Sequence, residues 1–176
     1  LWGSLVSNRL STMELLEKGQ RLGIDFTASA YLVFLFKLME EGDATGCSEE
    51  LNRASEKVND LTGAWKNALS FDRSPEGWAF LIKGESEEEV HNTFEEVKKE
   101  LLELTESYPN VEYFGGIGSV VHRIGDIQTS YKEAARAFSS RFFLDANQIA
   151  DSSELLPRQT ENDGKIDVSK MLSKKR

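Results

Sequence analysis

The fold is decided by Phe114-Gly115-Gly116-Ile117-Gly118 and by the later stretch Ser130-Tyr131-Lys132-Glu133-Ala134-Ala135-Arg136-Ala137-Phe138. The first predicts a strand that runs into a glycine-rich turn. The second predicts a helix, because Ser130 and Glu133 have the spacing of a capping box. Its inner side is expected to carry Tyr131, Ala134, Ala135, Phe138 and Phe142. The glycines resemble a phosphate cradle, but no Lys-Ser/Thr pair follows them, so close strand–helix packing is the favoured interpretation.

Further elements are predicted on both sides of these stretches. Tyr31–Leu38 is almost continuously apolar, which favours a central strand buried on both faces. A helix from Leu1 to Leu22, with Gly23 as its stop signal, precedes it. The remaining predicted elements are a helix over 51–61, a hairpin of strands 68–72 and 78–83, a long helix over 86–108, a strand within 111–121 and an edge strand at 148–150. This order predicts an α/β sandwich with a mixed sheet.

Composition and charge exclude several function classes. The chain of 176 residues is 39% hydrophobic and 29% charged, with a net charge of −9, which is typical of a soluble globular protein and unfavourable for direct nucleic-acid binding. Lys170 and Lys174–Arg176 form the only basic cluster, which we interpret as a solvated tail. Cys47 is the sole cysteine. We expect a cytoplasmic protein without membrane contact, and His91 and His122 have no metal-ligand spacing.

The order and spacing of these elements resemble the degenerate, GGDEF-like form of the diguanylate cyclase fold. This form occurs as the middle domain of AraC-type bacterial response regulators and is related to domains of the sugar-diacid and purine-catabolism regulator families. The resemblance covers roughly Tyr31 to Ala150. The segments that carry it are Leu22–Asp25, Gly116–Val121, Ile124–Ile127, Ser130–Ala134 and Arg141–Leu144.

The resemblance also implies an expectation about activity. In active members the first strand ends in an acidic metal ligand, where this chain has Phe34–Leu38, and the GG(D/E)EF signature lies at the hairpin turn, where it has Ser74–Trp78. Lysine and aromatic side chains cannot replace a carboxylate on Mg²⁺. Glu76 alone keeps a carboxylate in the turn, where a solvated role is favoured over a metal ligand. The chain is therefore expected not to be an enzyme, with no catalytic residue, no metal ligand and no cofactor.

The expected function is a signal-relay module of a two-component transcription regulator. The alternatives are a small-molecule or nucleotide sensor of the sugar-diacid or purine-catabolism type and a residual diguanylate cyclase. Linker helices are predicted over 1–26, the GGDEF-like domain over 27–151, and a linker toward a DNA-binding domain over 152–176, with a short helix in 167–174. The expected partners are the receiver and helix-turn-helix domains of the same protein, a sensor histidine kinase acting through the receiver, and DNA through the missing domain only.

Several side chains leave two interpretations open. Trp65 and Trp78 are assigned to core or hairpin packing rather than to a ligand pocket. Asp126 and Glu133 are assigned to helix entry rather than to a catalytic carboxylate pair. The stripe from Val90 to Tyr108 is expected to pack on the sheet rather than to form a dimer seam. A homodimer would more readily use Leu1, Trp2, Leu5 and Val6.

Overall fold

A central strand with apolar side chains on both faces organises the fold. In a computed structural model, which describes residues 2–7, 11–40 and 49–152, strand β1 spans Ala30–Glu40. Leu32, Phe34 and Phe36 are buried in one core, whereas Val33 and Leu35 are buried in a second core on the opposite face. A strand that is covered on both faces needs a continuous apolar run rather than an alternating one. The predicted central strand is therefore confirmed.

The sheet has five strands in the order β2-β3-β1-β4-β5. β1 pairs antiparallel with both β3 and β4, β2 pairs antiparallel with β3, and β5 pairs parallel with β4. The mixed sheet and the fold class predicted from the sequence are confirmed. The helices are α1 (Trp2–Ser7), α2 (Thr12–Arg21), α3 (Glu49–Thr62), α4 (Glu87–Glu106) and α5 (Ile127–Ser139), and the other strands are β2 (Ala68–Asp72), β3 (Trp78–Gly84), β4 (Val111–Ile117) and β5 (Gln148–Asp151).

Helices cover both faces of the sheet. α3 and α4 contribute Ala54, Val58 and the α4 stripe to one core, so the stripe packs on the chain's own sheet as predicted. α2 and α5 contribute to the other core, and α1 packs against α5. The Ser86 hydroxyl accepts a hydrogen bond from the Glu89 amide and caps α4. Each helix buries one apolar stripe, which is why the two helical layers enclose the sheet.

α5 lies unusually close to β4. A Cβ atom on Gly116 would collide with the backbone of Ala134 and Phe138, and one on Gly118 would collide with the Ser130 carbonyl oxygen. Residues with a side chain cannot approach a helix backbone this closely. These glycines therefore have the packing role that the sequence favoured over a phosphate cradle.

The boundaries of two predicted helices need correction. The N-terminal helix is divided into α1 and α2, with a capping box at Ser11 and a left-handed Gly23 after the last turn of α2. α5 begins at Ile127, three residues before the predicted cap, and Ser130 is fully buried with its hydroxyl turned toward β1.

Phe142 was expected on the inner side of α5 but is 78% exposed. α5 ends at Ser139, and a 3-10 turn over Ser140–Phe142 changes the helical phase, so Phe142 leaves the inner face.

The predicted C-terminal linker and its short helix fall largely on residues 153–176, which lie outside the described residues, as do residues 41–48. The domain boundaries at 26 and 151 stay predictions. No helix in the described ranges is both long and apolar enough to cross a membrane.

Candidate functional site

The turn between β2 and β3 is fixed by its own hydrogen bonds. The Glu76 amide donates to the Arg73 carbonyl at 2.8 Å, and the Arg73 amide donates to the Gly77 carbonyl at 2.8 Å. The Asp72 carboxylate accepts the Ser74 hydroxyl at 2.7 Å and the Ser74 amide at 2.8 Å. These hydrogen bonds from Ser74, first from its hydroxyl and then from its amide, hold the pKa of Asp72 below its ordinary value. The turn therefore presents Glu76 in one defined place.

Gly77 brings this turn against the central strand. Its φ of +93° is in the left-handed region, and a Cβ atom here would collide with the Phe36 carbonyl oxygen and come within 2.8 Å of the Lys37 Cα. Only glycine adopts this backbone without strain and leaves room for the approach. The hairpin tip is consequently held beside the side chain of Lys37.

The Glu76 carboxylate forms ion pairs with two cations that lie on different parts of the fold. Its Oε1 atom lies 3.5 Å from Lys37 Nζ and 2.9 Å from Arg141 Nη2. The Glu76 side chain is 42% exposed, whereas Lys37 and Arg141 are 24% and 16% exposed. The Glu76 carboxylate, for which a solvated role was expected, thus stays partly exposed to solvent and is also paired with two partly buried cations.

A third cation, Arg73, belongs to the same hairpin turn as Glu76. Its guanidinium carbon is 6.0 Å from the centre of the Tyr131 ring and 5.8 Å from that of Phe138. The Arg141 guanidinium stacks on the same Phe138 ring at 4.3 Å. Arg73 Nη1 is buried and has no hydrogen-bond partner among the described residues. Two guanidinium groups therefore lie near the Phe138 ring.

Lys37 and Arg141, paired with the single carboxylate of Glu76, favour an anionic ligand and do not fit a divalent metal. Mg²⁺ requires several oxygen ligands, and among the described residues Glu76 is the only carboxylate paired with Lys37 and Arg141. Across residues 2–7, 11–40 and 49–152, no group of three or more His, Cys, Asp or Glu side chains is arranged to hold a metal ion. Guanidinium groups, in contrast, match the geometry of phosphate and carboxylate oxygens.

The N-terminal helix reaches the same region. The Trp2 ring lies 5.1 Å from Phe71 on β2 and 5.5 Å, edge to face, from Tyr131 on α5. Trp2 and Val6 therefore pack against the chain's own second core. Whether the chain dimerises through this helix stays a prediction.

Comparison with known proteins identifies the family of the chain. The sequence model of the GGDEF-like domain family matches residues 7–139, more than half of the chain. The chain belongs to the GGDEF-like domain family. Its structure is similar to that of the active GGEEF domain of a diguanylate cyclase from Vibrio cholerae, with a TM-score of 0.53 and 12% identity over 86% of this chain and 94% of that one. No curated protein matches the chain.

A second solved structure is also similar to the chain. It is the GGDEF domain of DgcB from Caulobacter crescentus in complex with c-di-GMP, with a TM-score of 0.47 and 10% identity over 80% of this chain and 88% of that one.

These comparisons correct the expectation that this GGDEF-like chain is not an enzyme. The Vibrio cholerae domain that shares the fold is an active one, and no feature of the described residues shows that activity is absent. The expectation rested on side chains missing from two motifs. The sheet that positions those motifs is complete, however, and Glu76 keeps a carboxylate at the hairpin tip. The loss of a motif shows that particular ligand-binding side chains are missing. It does not show that the whole cyclase reaction is lost.

The structure also places the other residues singled out in the sequence. Trp78 is buried, with its indole nitrogen donating to Asn59 at 2.9 Å, and Trp65 packs edge to face on Phe80, so both have the predicted packing role. Glu133 does not serve helix entry: its carboxylate accepts the Ser119 amide at 2.8 Å and the Ser119 hydroxyl at 2.6 Å.

Sequence reasoning placed Lys37 and Glu76 in the two motifs of the active family's site but did not bring Arg141 to them. Glu76 and Arg141 are 65 positions apart, and no periodicity links them. The available signal was an arginine at the end of an amphipathic helix together with a glutamate beside a glycine in a hairpin. Neither signal is specific without the fold.

Proposed function

We propose that this GGDEF-like domain is a signal-relay module in a bacterial two-component transcription regulator of the AraC type. It would lie between a phosphorylatable receiver and a helix-turn-helix DNA-binding domain of the same cytoplasmic protein. A sensor histidine kinase would act through the receiver, and DNA would be bound only by the other domain. The sequence segments that resemble such middle domains support this proposal.

The packing of α1 carries the proposal. An upstream receiver would be joined to this helix, and Trp2 contacts both Phe71 and Tyr131. The Tyr131 ring in turn lies beside the Arg73 guanidinium at the hairpin. A signal that favours one position of α1 would shift the population of hairpin arrangements, because the two share these contacts.

The relay is tested in the full-length gene product. Its receiver is phosphorylated, and DNA affinity is measured with this domain intact, deleted, or carrying Trp2→Ala. We expect phosphorylation to change DNA affinity in the intact protein and to have a smaller effect in the other two. Met13→Ala is the matched control, because Met13 is 70% exposed on α2. Unchanged coupling after deletion of the domain would defeat the proposal.

A ligand sensor is the second candidate, in the manner of the sugar-diacid and purine-catabolism regulators. The pairing of two cations, Lys37 and Arg141, with the single carboxylate of Glu76 favours it. Calorimetry of the chain with guanine nucleotides and with carboxylated metabolites tests it. The absence of heat with every compound would count against a sensor.

Cyclase activity is a third candidate, which membership of the GGDEF-like family supports. Incubation of the chain with GTP and Mg²⁺, followed by analysis of the products, tests it. Sustained formation of a cyclic product would assign this activity.

A further inference from the structure

We propose that the basic segment of residues 165–176 binds in an apolar groove between α3 and α4 of the same chain. The sequence alone favoured a solvated tail for this segment, which lies outside the described residues. The groove is open to solvent and has a volume of about 330 Å³. The contact is independent of the relay proposed above, because it involves neither a receiver nor DNA.

The groove offers apolar side chains to an occupant. It is lined at the end of α3 by Leu61 and Ala64, and at the end of α4 by Leu104 and Tyr108. Leu61, Leu104 and Tyr108 are partly buried, since they also pack against the core beneath the two helices. These contacts hold the walls of the groove in place before an occupant arrives, so little order has to be gained on binding.

The surroundings of the groove are strongly acidic. α3 and α4 together carry twelve acidic and four basic side chains, in a chain whose net charge is −9. Asp60 lines the groove beside Lys57, and the exposed Glu56 and Glu103 flank it on the two helices. Neither helix has a basic residue in its last turn, so the carbonyl ends of both helices add to the negative potential. A cationic occupant with apolar side chains therefore fits.

The segment of residues 165–176 has the complementary chemistry. It contains five basic side chains and one acidic side chain. Val168, Met171 and Leu172 have the spacing of one helical face, so they can enter an apolar groove together. Lys170 and Lys174 are four positions apart and can then reach the acidic rim.

The connection between the domain and this segment is long enough for the contact. Residues 153–164 separate the segment from Ser152, the last described residue. Twelve extended residues span up to about 40 Å, which is about the diameter of a domain of this size. A tether of this length gives an effective concentration in the millimolar range, so a contact that is weak between separate molecules forms within one chain. This favours the chain's own segment over a separate basic protein.

The first test is cross-linking of the whole chain with a water-soluble carbodiimide. The reagent joins a carboxylate to a lysine amine as an amide and takes up the water that is released. We expect the monomer to contain cross-links from Lys170, Lys174 or Lys175 to Asp60, Glu56 or Glu103, mapped by mass spectrometry of peptides. Glu88 and Glu95, in the first half of α4, should react with these lysines far less.

The second test separates apolar docking from simple attraction of charge. Leu172→Asn removes an apolar side chain, and Ser173→Asn is its matched control, because both variants keep every lysine and every carboxylate. We expect Leu172→Asn to lower the yield of the groove cross-links at least about threefold and Ser173→Asn to leave it unchanged. The amide NMR signals of residues 57–64 and 103–108 should shift in Leu172→Asn only. Both substitutions lie outside the described domain, so they leave its core intact.

Three results would overturn the proposal. One is a spread of cross-links over Glu88, Glu95 and the groove carboxylates alike, which is the behaviour of a solvated basic tail. Another is the same cross-link yield and the same amide signals in Leu172→Asn and Ser173→Asn. The third is the appearance of the groove cross-links in dimers alone, which would assign the groove to the segment of a second copy.

Discussion

The backbone amide of Val33, in the middle of the central strand, donates a hydrogen bond of 3.0 Å to the hydroxyl oxygen of Ser130, 97 residues further along the chain. The same hydroxyl donates to the Ser119 carbonyl at 2.8 Å, so a single buried oxygen connects β1, α5 and the loop after β4. Antiparallel strands leave a backbone amide unpaired where the partner strand ends. Ser130 supplies the acceptor for this amide.

We therefore expect Ser130→Ala to lower the free energy of unfolding by about 1–3 kcal/mol, because the Val33 amide would be buried without an acceptor. Denaturant unfolding followed by circular dichroism measures this change. Ser139→Ala is the control, since the Ser139 hydroxyl donates to a carbonyl of its own helix at an exposed position. Equal losses in the two variants would contradict the role assigned to Ser130.

Gly77→Ala is expected to destabilise the protein more than Gly23→Ala does. Both glycines have positive φ, so each variant costs about 1–2 kcal/mol of backbone strain. Gly77 also approaches the carbonyl of Phe36, whereas a Cβ atom on Gly23 would meet no described atom within 4 Å. The unfolding midpoints of the two variants are compared, because only Gly77→Ala adds a steric collision to the backbone strain. Equal midpoints would refute the close approach of the hairpin to β1.

Trp2→Ala is expected to lower the free energy of unfolding by about 1–2 kcal/mol through loss of its ring contacts with Phe71 and Tyr131. Proteolytic cleavage within α1 should become faster at the same time, while cleavage elsewhere should change little. Met13→Ala, at an exposed position, provides the comparison. Equal free energies of unfolding and equal cleavage rates in the two variants would contradict the packing of α1 against Phe71 and Tyr131.

Stability at high pH should depend on Tyr31. Burial raises the pKa of the Tyr31 phenol above its ordinary value of 10.0, and its hydroxyl donates to the Phe26 carbonyl at 2.5 Å. A group whose pKa is raised on folding stabilises the fold fully below the unfolded pKa, and that contribution is lost as pH rises through the folded pKa. The free energy of unfolding should thus fall above about pH 10, and Tyr31→Phe should show a shallower decline. An identical decline in urea midpoints for both proteins would exclude this origin.

The elements that the sequence predicted well are those with strong local signals. Tyr31–Leu38 has the continuous apolar run that a doubly covered strand requires, and the spacing of buried residues in α4 is visible without a partner. The hairpin was also visible, because turn-forming residues separate two short apolar strands.

The parts that the sequence did not predict depend on contacts between distant segments. The start of α5 was placed at Ser130 because its residues match a capping box, yet Ser130 bonds to β1 instead, and no local pattern reveals that acceptor. The grouping of Lys37, Glu76 and Arg141 likewise requires the sheet register and the packing of α5. The expectation that the chain is not an enzyme was wrong for a related reason. It was based on two sequence motifs and did not consider the fold that positions them.

The position of β1 has a consequence for biosynthesis. This strand emerges from the ribosome well before either neighbour, since β3 begins at Trp78 and β4 at Val111. At a synthesis rate of roughly 5–20 residues per second, the strand stays without a pairing partner, and its apolar side chains stay uncovered by one, for several seconds. The nascent chain should therefore recruit chaperones through this segment, and the helix that forms in the interval, α3, can shield only one of its faces.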